Sequence, residues 1–205
     1  MGIVERRENE KKTMKQKILD AAMNLFISEG YENVSIRKIA SKIEYSPGTI
    51  YLYFKDKSDI IYELHEIGFG KFFERQMSIQ NVEDSFKRLE EHMRAYLHFA
   101  FEFPEYYQMM FIEKAPVKTI CEKAEWTCGG RSFELLIKNV TQCQEDGYFK
   151  GRNPLEVSFF LWSLVHGFAA LEICQRLDTL KYHGFSVDTT IETMVKLLDI
   201  FKIKE

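Results

Sequence analysis

Two short helices joined by a tight turn are predicted over residues 35–59, which read SIRKIASKIEYSPGTIYLYFKDKSD. Ser35 is a preferred N-cap residue, and apolar residues at helical spacing follow it. Ser46 can cap the second helix, and Pro47 takes its first position, where a missing N–H costs no hydrogen bond. A chain with this arrangement can present the leading end of the second helix to the major groove of DNA.

The second helix leaves unusual side chains on its outer face. Ile50 and Phe54 are four residues apart and point inward, whereas Gly48, Thr49 and the residues from 51 to 53 face outward. Exposed tyrosines on a short helix are unusual unless they contact something. Thr and Tyr hydroxyls can bond base edges or phosphates, and glycine permits a close backbone approach. The competing interpretation is that the tyrosines pack on neighbouring helices.

Residues 30–60 resemble the N-terminal DNA-binding segment of TetR-type transcriptional regulators. The family pattern is a Gly-aromatic pair, S-[IV]-R-x-I-A, a turn and G-T-[IL]-Y-x-Y-F-x-x-K, and this chain matches it at fixed spacing from Gly30 to Lys57. With the preceding helix, the resemblance covers about the first 60 residues. One departure lies in the turn, where the family usually has Gly-Val and this chain has Glu44 and Tyr45. A Glu at a position that needs positive φ would be strained.

The resemblance implies a ligand-responsive, sequence-specific DNA-binding regulator, by default a repressor that binds a palindromic operator as a dimer and is released by its ligand. The predicted DNA contacts come from the two helices and the start of the next one: Ser35, Arg37, Ser46, Pro47, Gly48, Thr49, Tyr51, Leu52, Tyr53 and Lys57. Six basic residues within residues 6–17 could also reach DNA, or could form a solvated tail.

The rest of the chain predicts an all-α protein of about nine helices, because long stretches show 3.6-residue periodicity and none alternates as a strand would. We expect an N-terminal arm and three-helix DNA-binding domain over residues 1–59 and a helical regulatory domain, for ligand binding and dimerisation, over residues 60–205. Besides the pair above, the predicted helices cover residues 13–29, 57–77, 82–102 with Asn81 as cap, a short segment from Pro104, 117–146 with an interruption near 128–130, 154–180 and 187–203.

Charge is distributed unevenly along the chain. Residues 1–60 carry 11 Lys and Arg against 9 Asp and Glu, although the whole chain has a net charge of −3. Basic charge confined to one end is compatible with DNA binding. The N-terminus lacks an apolar signal core, and the sequence predicts no apolar run long enough to span a bilayer, so we expect a cytoplasmic protein with no membrane partner.

The last two helices predict a homodimer. Residues 154–180 are apolar almost all round, and residues 187–203 form a final amphipathic helix. Pairing both helices with their symmetry mates would bury them in a four-helix interface, and two-fold symmetry suits a palindrome. Within the first of them, Trp162, His166 and Gly167 resemble a W-x-x-x-H-G element found in one subgroup of these regulators.

Aromatic and methionine side chains mark the candidate effector region, where a pocket would suit an apolar or aromatic small molecule. The alternative is ordinary core packing, and His98 and His166 are the polar residues that could orient a ligand. The candidate ligand contacts are Phe99, Phe103, Tyr106, Tyr107, Met110, Phe111, Trp126, Phe133, Trp162 and His166.

Other functional classes have weaker support. The four cysteines lack paired zinc spacing, so we predict buried thiols, no metal and no cofactor, with a redox role for Cys121 and Cys128 as an alternative. No catalytic motif is present, although His92, His98, Glu102 and His166 could meet in a helical enzyme without leaving one. A ligand-independent architectural DNA-binding protein is a third class.

Overall fold

The computed structural model describes residues 2–113, 127–184 and 186–201, and these residues form helices and turns with no strand among them. This confirms the predicted all-α class. The α-helices in these ranges are α1 Ile3–Glu29, α2 Ile36–Lys42, α3 Pro47–Tyr51, α4 Lys57–Ser78, α5 Ser85–Glu102, α6 Pro104–Tyr107, α7 Thr127–Glu145, α8 Pro154–Ile173 and α9 Val187–Leu197. Short 3-10 helices cover Tyr31–Asn33, Arg176–His183 and Leu198–Phe201, and a π-helical turn covers Gln108–Ile112.

The chain divides into two compact units. The first unit contains the described residues within 1–68 and 105–126, and the second contains those within 69–104 and 127–205. Helix α4 therefore contributes residues to both units, with the division after Gly68. The predicted boundary at residues 59 and 60 divides the chain by function and stays a prediction.

An apolar core holds the first unit together. It combines the inner faces of α1, α2, α3 and the start of α4 with Met109 from the π-helical turn. Burying one large apolar side chain contributes about 1.5–3 kcal/mol, and helices as short as α2 and α3 are not stable alone. The largest core members are Ile18, Phe26, Ile39, Ile50, Phe54, Ile60, Ile61 and Leu64.

Helix α1 begins at Ile3, so the predicted start at residue 13 is wrong. Residues 3–12 have no apolar stripe, but most are Glu, Lys or Arg, which favour helix formation. Arg6 also pairs with Glu10 one turn later at 2.9 Å. The basic arm is thus the exposed first part of α1.

The second unit is a helical bundle in which α5 packs against α7, α8 and α9, and α7 packs against α8. Arg94 of α5 donates to both carboxylate oxygens of Glu192 on α9, with each distance 3.0 Å. The cap of α5 is Asp84, which accepts from the Lys87 N–H at 2.8 Å, and the predicted cap at Asn81 is wrong. Helix α7 runs without a break from residue 127 to residue 145, so the predicted interruption near 128–130 is wrong. The earlier part of the predicted helix, 117–126, lies outside the described residues.

Helix α8 ends at Ile173, and the prediction of one helix to residue 180 is wrong. Gln175 has a φ of 55°, and this left-handed residue separates α8 from the following 3-10 helix. Helix α9 ends at Leu197, and a 3-10 turn over Leu198–Phe201 follows it. The end of the predicted helix, residues 202 and 203, lies outside the described part of the chain.

Helix α8 exposes much of its apolar surface within one protomer. Large side chains at its surface are Leu155, Phe159, Phe160, Leu164 and Leu171, and Phe159 is 58% exposed. By length and composition alone, α8 could cross a membrane, which corrects the sequence expectation of no such run. Core helices of other proteins meet the same two criteria, so they do not distinguish a membrane segment from a packing surface.

Candidate nucleic-acid interface and effector region

Local hydrogen bonds define the start of both short helices. The Ser35 hydroxyl accepts from the Lys38 N–H at 3.2 Å and caps α2. The Ser46 hydroxyl accepts from the Thr49 N–H at 3.3 Å and caps α3, with Pro47 at the first helical position. These contacts follow the predicted capping pattern and fix where α3 begins.

The turn between α2 and α3 contains a strained residue. Glu44 has a φ of 62°, in the left-handed region where non-glycine residues cost about 1 kcal/mol or more. The turn is closed by the Glu44 N–H donating to Ser41 O at 3.2 Å and the Tyr45 N–H donating to Ala40 O at 3.0 Å. The strain expected from the sequence is therefore present, and backbone hydrogen bonds hold it in place.

Helix α3 separates an inner from an outer face. Ile50 is fully buried and Phe54 is 4% exposed, whereas Tyr51 is 57% and Leu52 77% exposed. Gly48 is exposed one turn before them. The outer face can therefore meet a partner at Gly48, Tyr51 and Leu52 without disturbing the core.

The other predicted contacts surround this face to different degrees. Ser35, Arg37 and Ser46 are exposed, and Pro47, Thr49 and Tyr53 are half-buried. The hydroxyl oxygens of Ser46 and Thr49 lie 3.2 Å apart, so these two side chains share one hydrogen bond.

Lys57 is held by a contact within the protein. Its ammonium donates to Tyr31 O at 2.7 Å and lies 4.0 Å from the centre of the Tyr31 ring. Partial burial lowers the pKa of Lys57, and the nearby Glu32 carboxylate opposes this effect. Lys57 therefore braces the start of α4 against the segment after α1, and a phosphate would have to share its ammonium.

Two lysines of the basic segment of α1 make contacts within the first unit that the sequence did not reveal. The Lys17 ammonium lies 5.0 Å from the centre of the Tyr45 ring in the turn, a cation–π contact. Lys15 pairs with Glu63 of α4 at 2.6 Å and lies over Phe54. These partners are far apart in the chain, and no local pattern could have revealed them.

Four predicted effector contacts lie in the first unit, on α6 and the π-helical turn. Tyr107 is fully buried, with its ring 5.3 Å from that of Phe111. Tyr106 and Met110 line α4 at Gly68, where an added Cβ would lie 2.5 Å from Met110 Sδ and 2.9 Å from Tyr106 Cδ1. This close approach needs a glycine at position 68.

Five others lie in the second unit, and Trp126 lies outside the described residues. Phe99 and Phe103 pack with ring centres 5.8 Å apart, and Phe133 and Trp162 are equally close. The hydroxyl of Tyr96 lies 3.0 Å from His166 Nδ1 and accepts from Trp162 Nε1 at 3.3 Å. Burial lowers the pKa of His166, which favours its neutral form as a hydrogen-bonding group.

The described residues of the second unit also form an apolar cleft between α5, α8 and α9. Its empty volume is about 190 Å³ including open solvent, and it has no room for even a water-sized molecule. The cleft is lined by Met93, Leu97, Leu164, Val165, Met194, Val195 and Leu198. A sizeable ligand would have to displace some of these flexible side chains.

A buried polar cluster in the second unit was missed by sequence reasoning. Gln76 Nε2 lies 2.9 Å from His92 Nε2 and donates to Ser132 O at 3.3 Å. Asn139 Nδ2 lies 3.0 Å from His92 Nδ1, and Asn139 Oδ1 accepts from Arg88 Nε at 3.4 Å. All five side chains are more than nine-tenths buried. Burial lowers the pKa of His92 to about 4.

Among the described residues, no group of three or more His, Cys, Asp or Glu side chains could hold a metal ion. Cys143 is buried and Cys174 exposed, both as free thiols, and burial raises the pKa of Cys143 to about 11. The redox alternative concerns Cys121 and Cys128. Cys121 lies outside the described residues, and the side chain of Cys128 is also outside them.

Two family models together match most of the chain. Residues 18–64 match the bacterial regulatory proteins of the tetR family. Residues 89–198 match the tetracyclin repressor-like C-terminal domain, which alone covers more than half of the chain. Both describe regulators and not enzymes.

Individual relatives agree with these matches. The fatty acid metabolism regulator protein of Bacillus subtilis is 43% identical over 68 residues, which cover 30% of this chain and 35% of that protein. The HTH-type transcriptional regulator YobS of the same species, itself uncharacterised, is 26% identical over 182 residues, covering 87% and 91% of the two chains. A solved structure of a candidate fatty acid metabolism regulator from Clostridium perfringens has a TM-score of 0.71 at 18% identity, covering 91% and 97%. At that identity the structural likeness supports the fold alone.

Proposed function

We propose, from the premise that this chain belongs to the tetR family of bacterial regulatory proteins, that it binds a palindromic operator as a homodimer and leaves it when a small apolar or aromatic effector binds. The chain is a DNA-binding transcriptional regulator, and the operator geometry, the dimer, the effector and repression are the proposed parts. We further propose that it acts in the cytoplasm, where it has access to DNA.

The observation that carries the proposal is the outer face of α3. Its start is capped by Ser46, its inner face is anchored by Ile50, and Tyr51 and Leu52 project from it. We propose that Gly48 permits close approach to the groove, that Thr49 and Tyr51 contact base edges, and that Leu52 meets thymine methyl groups. Ser35, Arg37, Ser46, Pro47, Tyr53 and Lys57 then contact the phosphate backbone and fix the register.

The exposed apolar side chains of α8 support the proposed homodimer. Phe159 and Phe160 are more than half exposed in the protomer, as are Leu197 at the end of α9 and Ile200 in the 3-10 turn after it. A soluble protein rarely leaves so many large apolar side chains in water. We propose that the segments predicted over residues 154–180 and 187–203 pair with their symmetry mates, which buries these side chains and spaces two α3 helices along the duplex.

Release by an effector requires only a modest coupling between the two sites. A 10-fold to 100-fold change in operator affinity corresponds to about 1.4–2.8 kcal/mol. Helix α4 contributes residues to both units, which makes it the proposed element of coupling. Because two similar proteins are named for fatty acid metabolism, compounds with a hydrocarbon chain are the first effectors to test.

Selection of bound duplexes from a random pool tests the operator proposal. The parent protein should enrich a palindrome, and Tyr51→Ala should lose affinity by about 1–3 kcal/mol per half-site while its melting temperature stays nearly unchanged, because Tyr51 is outside the core. Met77→Ala is the control, since Met77 is an exposed large side chain on the second-unit part of α4, outside the predicted contact set. Enrichment of no sequence by the parent protein, or an equal loss in both variants, would contradict the proposed reading face.

A further inference from the structure

We infer that the buried cluster of Gln76, His92, Ser132 and Asn139 recognises the polar head of the effector, and that this head is a neutral group that both donates and accepts a hydrogen bond, such as a hydroxyl or a carboxamide. The inference rests on the proposed function, because it takes the second unit to be the part that binds the effector.

The first step is the position of the four side chains. Ser132 and Asn139 are seven residues apart on α7 and therefore lie on the same face of that helix. His92 of α5 lies between the Gln76 and Asn139 amides, at 2.9 and 3.0 Å. Three helices of the second unit thus bring polar groups to one buried point.

The second step is that these groups cannot satisfy one another. Neutral His92 has one N–H and one acceptor nitrogen, yet the amide nitrogens of Gln76 and Asn139 face both ring nitrogens. One amide must therefore turn its oxygen toward the ring. Turning Asn139 takes its oxygen away from Arg88, and turning Gln76 moves its amide N–H from Ser132 O to a position that has no partner.

The third step is the hydrogen-bonding capacity that remains. Among the described residues, Gln76 Oε1 and Ser132 Oγ are buried and make no hydrogen bond. Leaving such groups unpaired destabilises a folded protein, and natural proteins retain this cost mainly where function requires it. Depending on the Gln76 orientation, the open group is an acceptor or a donor. A ligand group able to do both suits either orientation.

The fourth step excludes a charged head. The Arg88 guanidinium already donates to Val82 O, Glu83 O, Gln142 Oε1 and Asn139 Oδ1, so it is committed to the protein. Burial keeps His92 neutral near pH 7. A carboxylate placed here would be buried without a dedicated cation, which is strongly unfavourable.

The apolar part of the ligand has a candidate place in the same unit, the apolar cleft between α5, α8 and α9. Met93 lines this cleft and follows His92 on α5, about 100° further round the helix. Methionine side chains there, Met93 and Met194, are flexible and can repack around a hydrocarbon chain.

Three ten-carbon compounds that differ only in the head group test the inference: 1-decanol, decanamide and decanoate. Their binding to the full-length protein is measured by calorimetry at pH 7.5. We expect 1-decanol and decanamide to bind at least about 10-fold more tightly than decanoate, and Ser132→Ala and Gln76→Met to abolish this preference. Ser158→Ala is the matched control and should retain it, because that buried serine on α8 already donates to Pro154 O at 2.7 Å.

Several results would overturn the inference. They are equal affinity for all three compounds, binding of none of them, or an unchanged head-group preference in both cluster variants. A rise in the melting temperature of Ser132→Ala without ligand would support it, because an unpaired buried hydroxyl is removed, whereas a fall would indicate a cluster that binds structural water only. Selection of a palindrome does not depend on these results, so failure here is distinguishable from failure of the proposed function.

Discussion

The two units distribute polar and apolar side chains in opposite ways. In the first unit, His65 is the one polar side chain among the buried described residues, and the candidate site lies on the surface. The second unit buries Gln76, Ser85, Arg88, His92, Ser132, Asn139 and Ser158, while it exposes a row of large apolar side chains on α8.

This difference corresponds to the two proposed partners. A DNA duplex is large and rigid, so a DNA-binding helix needs a fixed outer face supported by a well-packed apolar core. Helix α3 has both. An effector is small and must be surrounded, so its polar contacts have to be buried at some cost in stability. The exposed apolar face of α8 then requires a third partner, which we propose is a second copy of the chain.

The largest effect is expected where the second unit exposes its apolar face. The double variant Phe159→Glu, Phe160→Glu should convert a dimer to a monomer. Burial of four rings per dimer at about 1.5 kcal/mol each corresponds to roughly 10 000-fold in the dissociation constant. Sedimentation equilibrium measures this change. Met77→Glu is the control, because Met77 is also exposed but lies on α4, outside the predicted interface. A dimeric double variant, or a monomeric parent protein, would contradict the proposed interface.

An intermediate effect is expected from the buried polar cluster through pH. The folded-state pKa of His92 is about 4, below the usual value of 6.5, so protonation favours the unfolded chain. The contribution is complete above pH 6.5 and is lost as the pH falls toward 4, at about 1.4 kcal/mol per pH unit. Between pH 7 and pH 5 this amounts to about 2 kcal/mol.

Urea unfolding at the two pH values measures that loss. His92→Gln should lose about 2 kcal/mol less than the parent protein on acidification. His98→Gln is the control on the same helix, where the side chain is exposed, and it should lose as much as the parent. If His92→Gln shows the same pH dependence as the parent protein, then the pKa of His92 is not lower in the folded protein than in the unfolded chain.

The starts of α2 and α3 could be predicted to the residue because their signals are local. Ser35 and Ser46 each accept from a backbone N–H three positions later, and Pro47 fits the first helical position by its own φ and missing N–H. The sequence therefore indicates the helix starts directly. The strained turn was also predictable, since Glu44 stands where a glycine is usual. Lys57 differs, because its partner Tyr31 is distant in the chain and spacing alone suggested only a phosphate contact.

The second unit was less predictable because its defining contacts are long-range. Gln76, His92 and Asn139 occur on amphipathic helices, where polar residues usually face water. Helical spacing places His92 on the apolar stripe between Leu89 and Tyr96, but nothing local indicates which polar partners it meets there. The end of α8 was missed for a related reason, because a non-glycine residue, Gln175, takes the left-handed conformation there without a sequence signal.

The smallest effect concerns the one strained residue of the reading motif. Glu44→Gly should stabilise the protein by about 1 kcal/mol, because glycine adopts a φ of 62° without the steric cost that Glu bears. Thermal unfolding measures the change. Glu134→Gly is the matched control, since Glu134 is exposed within α7, and there the same substitution should destabilise by about 1 kcal/mol. If both variants are destabilised, the turn is relaxed with Glu in place. If their signs are opposite, Glu44 bears backbone strain in the turn before α3, and the operator affinity of Glu44→Gly then tests whether DNA binding depends on that side chain.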